Sequence, residues 1–338
     1  MKAVLYGAYP VCEHARLEKF LPSEWAIEPV PDSASPTEKK RQLADADVLV
    51  TSKYGCSDPP APRLRLLQCS SAGIENIDVE RLPPGCSVCN VHGHENGIAE
   101  YVIWAILDWS INFRGIPPFS SGGTWSIDEW ISIPNHSEAS GKTVGVVGYG
   151  HIGREVARRA RALGLRVTVL SAWSKGRPRD GILEKAFNPN EARPFLESSD
   201  FVVVCCPLTR DTRGMIDAGW FSAMRRGTVV IQVGRGPVID EFAFFNALSK
   251  KYIRGATIDV WYDYPRQTGE RVRFSRYPFH ELPNVVVTPH ISARSEESWD
   301  RRFSQIAENL RALMDGRPLR NIVLRPKLPE RNLEVESQ

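Results

Sequence analysis

The hydrophobic pattern between Thr143 and Ser171 changes period twice. Thr143 to Val147 is a short apolar, largely β-branched run, which predicts a buried strand. Further on the apolar positions move to helical spacing. Ile152, Val156, Ala157, Ala160 and Leu163 share one face, and Arg154, Arg158 and Arg161 lie elsewhere around it. Gly164 closes the helix, and Leu165 to Leu170 predicts a second strand. Gly148, Gly150 and Gly153 stand in the turn between strand and helix, at G-x-G-x-x-G spacing. Such glycines let the backbone approach a pyrophosphate, whose charge sits at the helix N-terminus. In this strand–turn–helix–strand frame the spacing points to dinucleotide binding by Gly148, Gly150, His151, Ile152 and Gly153. The plainer alternative is an α/β turn that holds no nucleotide.

The same alternation runs through the whole chain. Ala3–Tyr6, Val48–Thr51, Leu66–Ser70 and Val88–Val91 predict strands, with a helix over Pro36–Ala44. Glu95–Asn112 predicts a long apolar helix, followed by a Pro, Gly and Ser stretch, Pro117–Gly123, expected at the surface or at a subunit contact. After the fingerprint, Phe201–Cys206, Thr228–Val233, Ala256–Val260 and Val285–Thr288 predict strands and Arg301–Met314 a closing helix. The polar tail after Pro326 predicts disorder. The expected fold class is α/β, with two doubly wound (Rossmann-like or flavodoxin-like) domains and a substrate cleft between them. A fingerprint in mid-chain places the nucleotide domain at residues 98–297. The substrate domain is then discontinuous, built from 1–97 and 298–338.

Composition narrows the function classes. At 338 residues with 42% apolar and 25% charged residues, the chain is ordinary for a globular protein. A net charge of +3 argues for neither nucleic acid nor a membrane surface. No apolar run is long enough to span a bilayer, and the N-terminus carries no secretion signal. The seven cysteines are odd in number and scattered, which predicts a reducing, cytoplasmic setting. Cys86 and Cys89 have metal-like spacing, but no second Cys or His pair matches it. No metal site is expected, and both read as small buried hydrophobes.

Functional residues of an open α/β sheet gather at the carboxyl ends of its strands. Three such ends carry chemistry: Arg235 in Ile231-Gln-Val-Gly-Arg-Gly236, Asp259 in Thr257-Ile-Asp-Val-Trp261, and His290 in Thr288-Pro-His-Ile-Ser292. A nucleotide site, a fixed cation and an imidazole suit hydride transfer to a carbonyl. Arginine holds a carboxylate bidentately and histidine supplies a proton. Singly, each residue would read as surface or packing; their order after the fingerprint makes the set informative.

At this point the chain resembles the D-2-hydroxyacid dehydrogenase family over roughly residues 45–325. The matching segments are CSSAGIENID (69–78), NGIAEYVIWAIL (96–107), GYGHIG (148–153), CPLTRDTRGMI (206–216), VGRGPVIDE (233–241), GATIDVW (255–261) and PNVVVTPHIS (283–292). The resemblance implies that Arg235 binds the substrate carboxylate and His290 is the acid/base. It implies that the N–H groups of Ser71, Ala72 and Gly73 cradle the carboxylate and that Asn96 lies near the substrate. Asp259 would hold the nicotinamide amide, and Cys206, Pro207, Thr212, Val233 and Gly234 would line the cofactor. A homodimer is implied too, with the helix from Glu95 and the loop after it as contacts.

The chain departs from the family in two places. The family pairs its histidine with a Glu just before a Pro; here the segment is Asp259-Val-Trp-Tyr-Asp-Tyr-Pro265, with Tyr264 at that position and Asp263 one residue early. A carboxylate favours imidazolium, whereas a phenol only hydrogen-bonds the ring. Either Tyr264 or Asp263 is then the partner of His290. The family's usual acidic residue on the ribose is also missing. Ser171 stands there, followed by Ser174, Lys175 and Arg177, which suit a 2′-phosphate, so NADP is expected ahead of NAD. His92, His94, Trp261, Tyr262 and Tyr264 suggest either a pocket for a bulky acid or, more plainly, packing and loop residues. A different class of function, a dinucleotide-sensing corepressor-like protein, resembles the same family; the retained Arg235 and His290 count against it. Formate and phosphite oxidation are disfavoured by Tyr264 and by Ala72 in place of a lysine.

Overall fold

The computed structural model describes residues 1–116, 123–172, 181–265 and 267–324. The surface loop expected from Pro117, Ser174, Lys175 and Arg177 and the polar tail lie outside the described residues, apart from Gly123. In chain order the elements begin with β1 (Lys2–Tyr6), α1 (Ala8–Cys12), α2 (His14–Glu18), β2 (Ala26–Val30), α3 (Pro36–Ala44), β3 (Val48–Thr51), β4 (Leu66–Cys69) and β5 (Ser87–Cys89). There follow α4 (Glu95–Ile111), α5 (Ile127–Ser132), β6 (Thr143–Val147), α6 (His151–Ala162), β7 (Arg166–Leu170), β8 (Lys185–Phe187) and α7 (Ala192–Ser198). Then come β9 (Phe201–Val204), α8 (Ala218–Ala223), β10 (Val229–Gln232), α9 (Glu241–Ser249), β11 (Gly255–Ile258) and β12 (Val285–Val287). The chain closes with α10 (Glu296–Met314) and β13 (Ile322–Leu324).

These elements form two compact units. The first holds Met1–His94, the short segment Pro265–Arg271 and the described residues from Glu296 on; the second holds Glu95–Tyr264 and Val272–Ser295. The first unit carries a sheet in the order β13-β5-β4-β3-β1-β2, parallel except for β13. Its central strands β1, β3 and β4 are buried on both faces, so alternate residues feed different cores. Leu5, Val48, Val50 and Leu66 meet Trp299, Phe303, Ile306 and Leu310 of α10, whereas Val4, Leu49, Leu67 and Val88 meet Leu43 of α3 and Tyr54. A buried polar network also joins α10 to the sheet. Asn309 of α10 donates to the side-chain oxygen of fully buried Gln68 at 2.8 Å, and its own oxygen accepts the Arg320 N–H at 2.8 Å.

The second unit is a seven-stranded parallel sheet in the order β12-β11-β10-β9-β6-β7-β8. Its two faces again divide by alternation. Val144, Val146, Val203 and Ile231 pack with α4 and α6, while Val204, Val230 and Ile258 pack with Phe195, Phe221 and Phe244. From β6 the chain steps outward to β7 and β8, then returns to fill β9 to β12 on the other side. The order therefore reverses at β6, and the crevice at its carboxyl end is where this architecture binds ligands.

Candidate active site

The glycine turn follows β6, and its three glycines meet three different demands. Gly148 has φ 96°, and a Cβ there would stand 2.8 Å from the Cα of Cys206. A Cβ on Gly153 would stand 2.2 Å from the Gly148 carbonyl oxygen. Beside Gly150 there is nothing within 4 Å, and no side chain caps α6. The N-terminus of α6, at His151 and Ile152, has no side-chain cap and room beside Gly150, which fits a diphosphate. The diphosphate of a dinucleotide therefore fits this turn.

The flanking strand ends complete the rim. Buried Cys206 has its thiol pushed up to about 11 by desolvation, so it packs as a neutral small hydrophobe. The Thr212 hydroxyl donates to the Pro207 carbonyl at 2.7 Å and accepts the Thr209 N–H at 2.7 Å. The Val233 N–H donates to the Val204 carbonyl at 3.1 Å, and a Cβ on Gly234 would meet the Cys206 oxygen at 2.9 Å. The loops after β9 and β10 are therefore fitted to one another. Ser171, half-buried at the end of β7, donates its N–H to the Phe187 carbonyl at 3.1 Å.

Arg235, Asp259 and His290 follow three adjacent strands, because Gln232, Ile258 and Val287 end β10, β11 and β12 in register. Buried Gln232, which the sequence reading passed over, braces the arginine loop. Its amide accepts the Gly234 N–H at 3.1 Å and donates to the Arg235 carbonyl at 2.9 Å. Half-buried Arg235 bonds the Gly234 carbonyl through Nη1 at 2.9 Å. Asp259 is 0% exposed and fastens the histidine loop. Oδ1 accepts the Thr288 hydroxyl at 2.6 Å and the Ile291 N–H at 2.8 Å, and Oδ2 accepts the Ser292 N–H at 2.9 Å. Tyr101 of α4 bonds the same Thr288 hydroxyl at 2.6 Å, and burial pushes its phenol up to about 12. Within this frame His290 sits at φ 57°, in the left-handed region.

Of the two possible partners of the imidazole, Tyr264 meets it. The phenol oxygen lies 3.0 Å from His290 Nδ1 and accepts the Trp261 N–H at 2.9 Å. Asp263 is exposed, and its N–H donates to the Phe274 carbonyl at 3.2 Å. The aromatic cluster after Asp259 mostly belongs to the core. Trp261 is buried against Phe274 at 4.2 Å between ring centres, its indole N–H donates to the Thr288 carbonyl at 2.8 Å, and the Tyr262 hydroxyl donates to the Ile239 carbonyl at 3.1 Å. Only Tyr264 of this trio is exposed, at 42%.

In the first unit, Ser71, Ala72 and Gly73 follow β4 and are half-buried. The Ser71 hydroxyl donates to the Gly73 carbonyl at 2.9 Å and Asn90 donates to the Ala72 carbonyl at 2.7 Å. Their three N–H groups donate to no other described residue. The side chain of Gln305 bonds both main-chain groups of His92, at 3.2 and 2.9 Å. In the second unit Asn96 is exposed, and its oxygen accepts from Arg159 at 3.0 Å.

The profile of the D-isomer specific 2-hydroxyacid dehydrogenase NAD binding domain matches residues 103–292. A glyoxylate reductase of Thermococcus kodakarensis is 30% identical over 285 residues, covering 82% of either chain. Two solved structures share the fold. One is a D-isomer specific 2-hydroxyacid dehydrogenase family protein from Aeromonas salmonicida, with a TM-score of 0.77, 20% identity and 96% of this chain and 98% of that one covered. The other is an NADPH-dependent glyoxylate/hydroxypyruvate reductase from Sinorhizobium meliloti in complex with NADP and sulfate, with a TM-score of 0.73, 23% identity and coverage of 95% and 98%. The chain belongs to the D-isomer specific 2-hydroxyacid dehydrogenase family. It is an oxidoreductase that uses a nicotinamide dinucleotide and acts on small 2-hydroxy or 2-keto acids. No helix among the described residues is long and apolar enough to cross a membrane.

Proposed function

We propose that this protein reduces 2-keto acids to D-2-hydroxy acids, with Arg235 binding the carboxylate and His290 exchanging the proton. The observation that carries the assignment is the juxtaposition of Arg235, Asp259 and His290 at three adjacent strand ends beside the glycine turn. The bound nicotinamide supplies the hydride. The Arg235 fork takes the carboxylate through two parallel N–H bonds and draws charge from the neighbouring carbonyl. His290 gives the proton at Nε2 to the alkoxide oxygen as it forms. Asp259 keeps the His290 loop in place; the role on the nicotinamide amide implied by resemblance is not supported by a carboxylate that is fully buried and bonded to that loop. In the first unit, the N–H groups of Ser71, Ala72 and Gly73 are further donors to a carboxylate, and Asn96 is a substrate-side residue of the second unit.

Gly148, Gly150, His151, Ile152 and Gly153 hold the diphosphate, and Cys206, Pro207, Thr212, Val233 and Gly234 line the remainder. NADP is preferred over NAD, because Ser171 puts no carboxylate at the end of β7 and Lys175 and Arg177 follow it. The first unit is the substrate-binding domain and the second the nucleotide domain. The active form is a homodimer in the cytoplasm. Trp125, Ile127, Trp130 and Ile131 on and before α5 are all more than half exposed, which favours coverage by a second copy; sedimentation equilibrium reads this directly.

The test is oxidation of NADPH and NADH in parallel against 2-keto acids from glyoxylate and hydroxypyruvate to phenylpyruvate, with Arg235→Ala as control. Truncating one side of a desolvated charge pair costs about 2–5 kcal/mol, so kcat/KM should fall roughly 30-fold to several thousand-fold. Turnover indifferent to Arg235 would overturn the assignment.

A further inference from the structure

We propose that Tyr264 sets the protonation of His290: its hydroxyl donates to Nδ1 of the neutral ring, which fixes the tautomer with the remaining proton on Nε2 and lowers the pH at which imidazolium, the form that gives up a proton in reduction, is lost. The inference rests on His290 being the acid/base group.

The phenol oxygen stands between two partners, the Trp261 N–H at 2.9 Å and His290 Nδ1 at 3.0 Å. The Trp261 N–H can only donate, so it engages a lone pair of the oxygen. What remains is one hydroxyl proton and an oxygen whose other lone pair is delocalised into the ring, so the hydroxyl serves better as donor than as acceptor. The unprotonated nitrogen of a neutral imidazole is its natural acceptor. Trp261 is buried and fixed by its indole bond to Thr288, so the orientation of the phenol is inherited from the core.

The histidine main chain is secured separately. Asp259 holds Thr288, Ile291 and Ser292, which leaves Tyr264 acting on the ring rather than on the loop. Among the described residues, the charged groups on the loops that carry the ring and its neighbours include Asp259, buried and committed to those bonds, Asp263, exposed beside Tyr264, Arg235 on the loop after β10, and exposed Arg294 on the His290 loop. A carboxylate at position 264 would accept from Nδ1–H and favour imidazolium. A phenol that donates to Nδ1 favours the neutral ring instead. Tyr264 is a positioning residue with an electrostatic consequence: the proton donor of keto-acid reduction loses its charge at a lower pH than a carboxylate partner would allow.

The test is the pH profile of kcat/KM for keto-acid reduction in the wild type, Tyr264→Phe and Tyr264→Glu. It is paired with a 15N NMR titration of the His290 imidazole, its resonance identified by its loss in His290→Gln. The basic limb should rise by roughly half a pH unit in Tyr264→Phe, where one hydrogen bond to the neutral ring is lost, and by about one unit or more in Tyr264→Glu. The wild-type neutral ring should carry its proton on Nε2. A fall in rate with neither limb nor titration moved in either variant would reduce Tyr264 to mechanical support and overturn the inference. So would a wild-type ring protonated on Nδ1. If the protein turned over no 2-keto acid, the titration would still read the tautomer, so failure of the functional assignment remains distinguishable.

Discussion

Gly236 lies so close to Trp261 that a Cβ on the glycine would stand 2.2 Å from the tryptophan carbonyl oxygen. The contact joins the loop that carries Arg235 to the strand end that carries Trp261 and Tyr264. Neither backbone can retreat easily, since Trp261 is packed on Phe274 and Phe279. Gly236→Ala should therefore cost about 1–3 kcal/mol through forced backbone shifts. The urea midpoint measures the loss. A larger proportional fall in kcat/KM than in folded fraction is expected, because the shift moves the loop that carries Arg235.

Ser171 directly follows β7, where the family's usual carboxylate would bind the ribose. Ser171→Asp brings a negative charge to a 2′-phosphate and an acceptor pair to a ribose diol. The KM for NADPH should rise about tenfold or more, one charge–charge interaction of about 1.4 kcal/mol, while that for NADH stays level or falls. A rise for both cofactors would indicate simple disruption of the β7 end.

Asn309→Ala removes the only side chain described as bonding the Gln68 oxygen, and it strands the Arg320 N–H. Gln68 is fully buried, so water cannot replace the partner. Leaving one buried group unsatisfied costs about 1–3 kcal/mol. Equilibrium urea unfolding should show that loss, and KM for the keto acid should rise with it, because Gln68 also donates to the Cys69 and Asn90 carbonyls and Asn90 in turn to the Ala72 carbonyl of the proposed carboxylate-binding turn.

Much of the fold is legible because parallel strands are short, apolar and bounded by turns. Thr143–Val147 and Val48–Thr51 fall where their hydrophobic runs predict. Elements that bury little were missed: β2, whose Ala26 to Pro29 keep partial exposure, the short α5, and the edge strand β13. Helix α10 begins at Glu296, ahead of the expected Arg301, because Ser298 and Trp299 already face the core. At the site, Arg235 and His290 are marked by strand-end motifs. Gln232, Thr288 and Tyr101 carry no such mark, since a polar residue that bonds a neighbouring backbone or hydroxyl looks like any other strand or helix residue. The choice between Tyr264 and Asp263 is likewise invisible in one dimension; it depends on which side chain the Trp261 N–H orients.

His290 holds a left-handed backbone that asparagine adopts more willingly than most residues. The local conformation here serves the imidazole rather than the fold, and Asp259 supplies the bonds that keep it. His290→Asn should accordingly leave the protein as resistant to unfolding as before, or more so, while abolishing proton transfer. Stability and activity are in tension at this one residue, and a lineage released from the need for catalysis would meet no folding barrier to losing it.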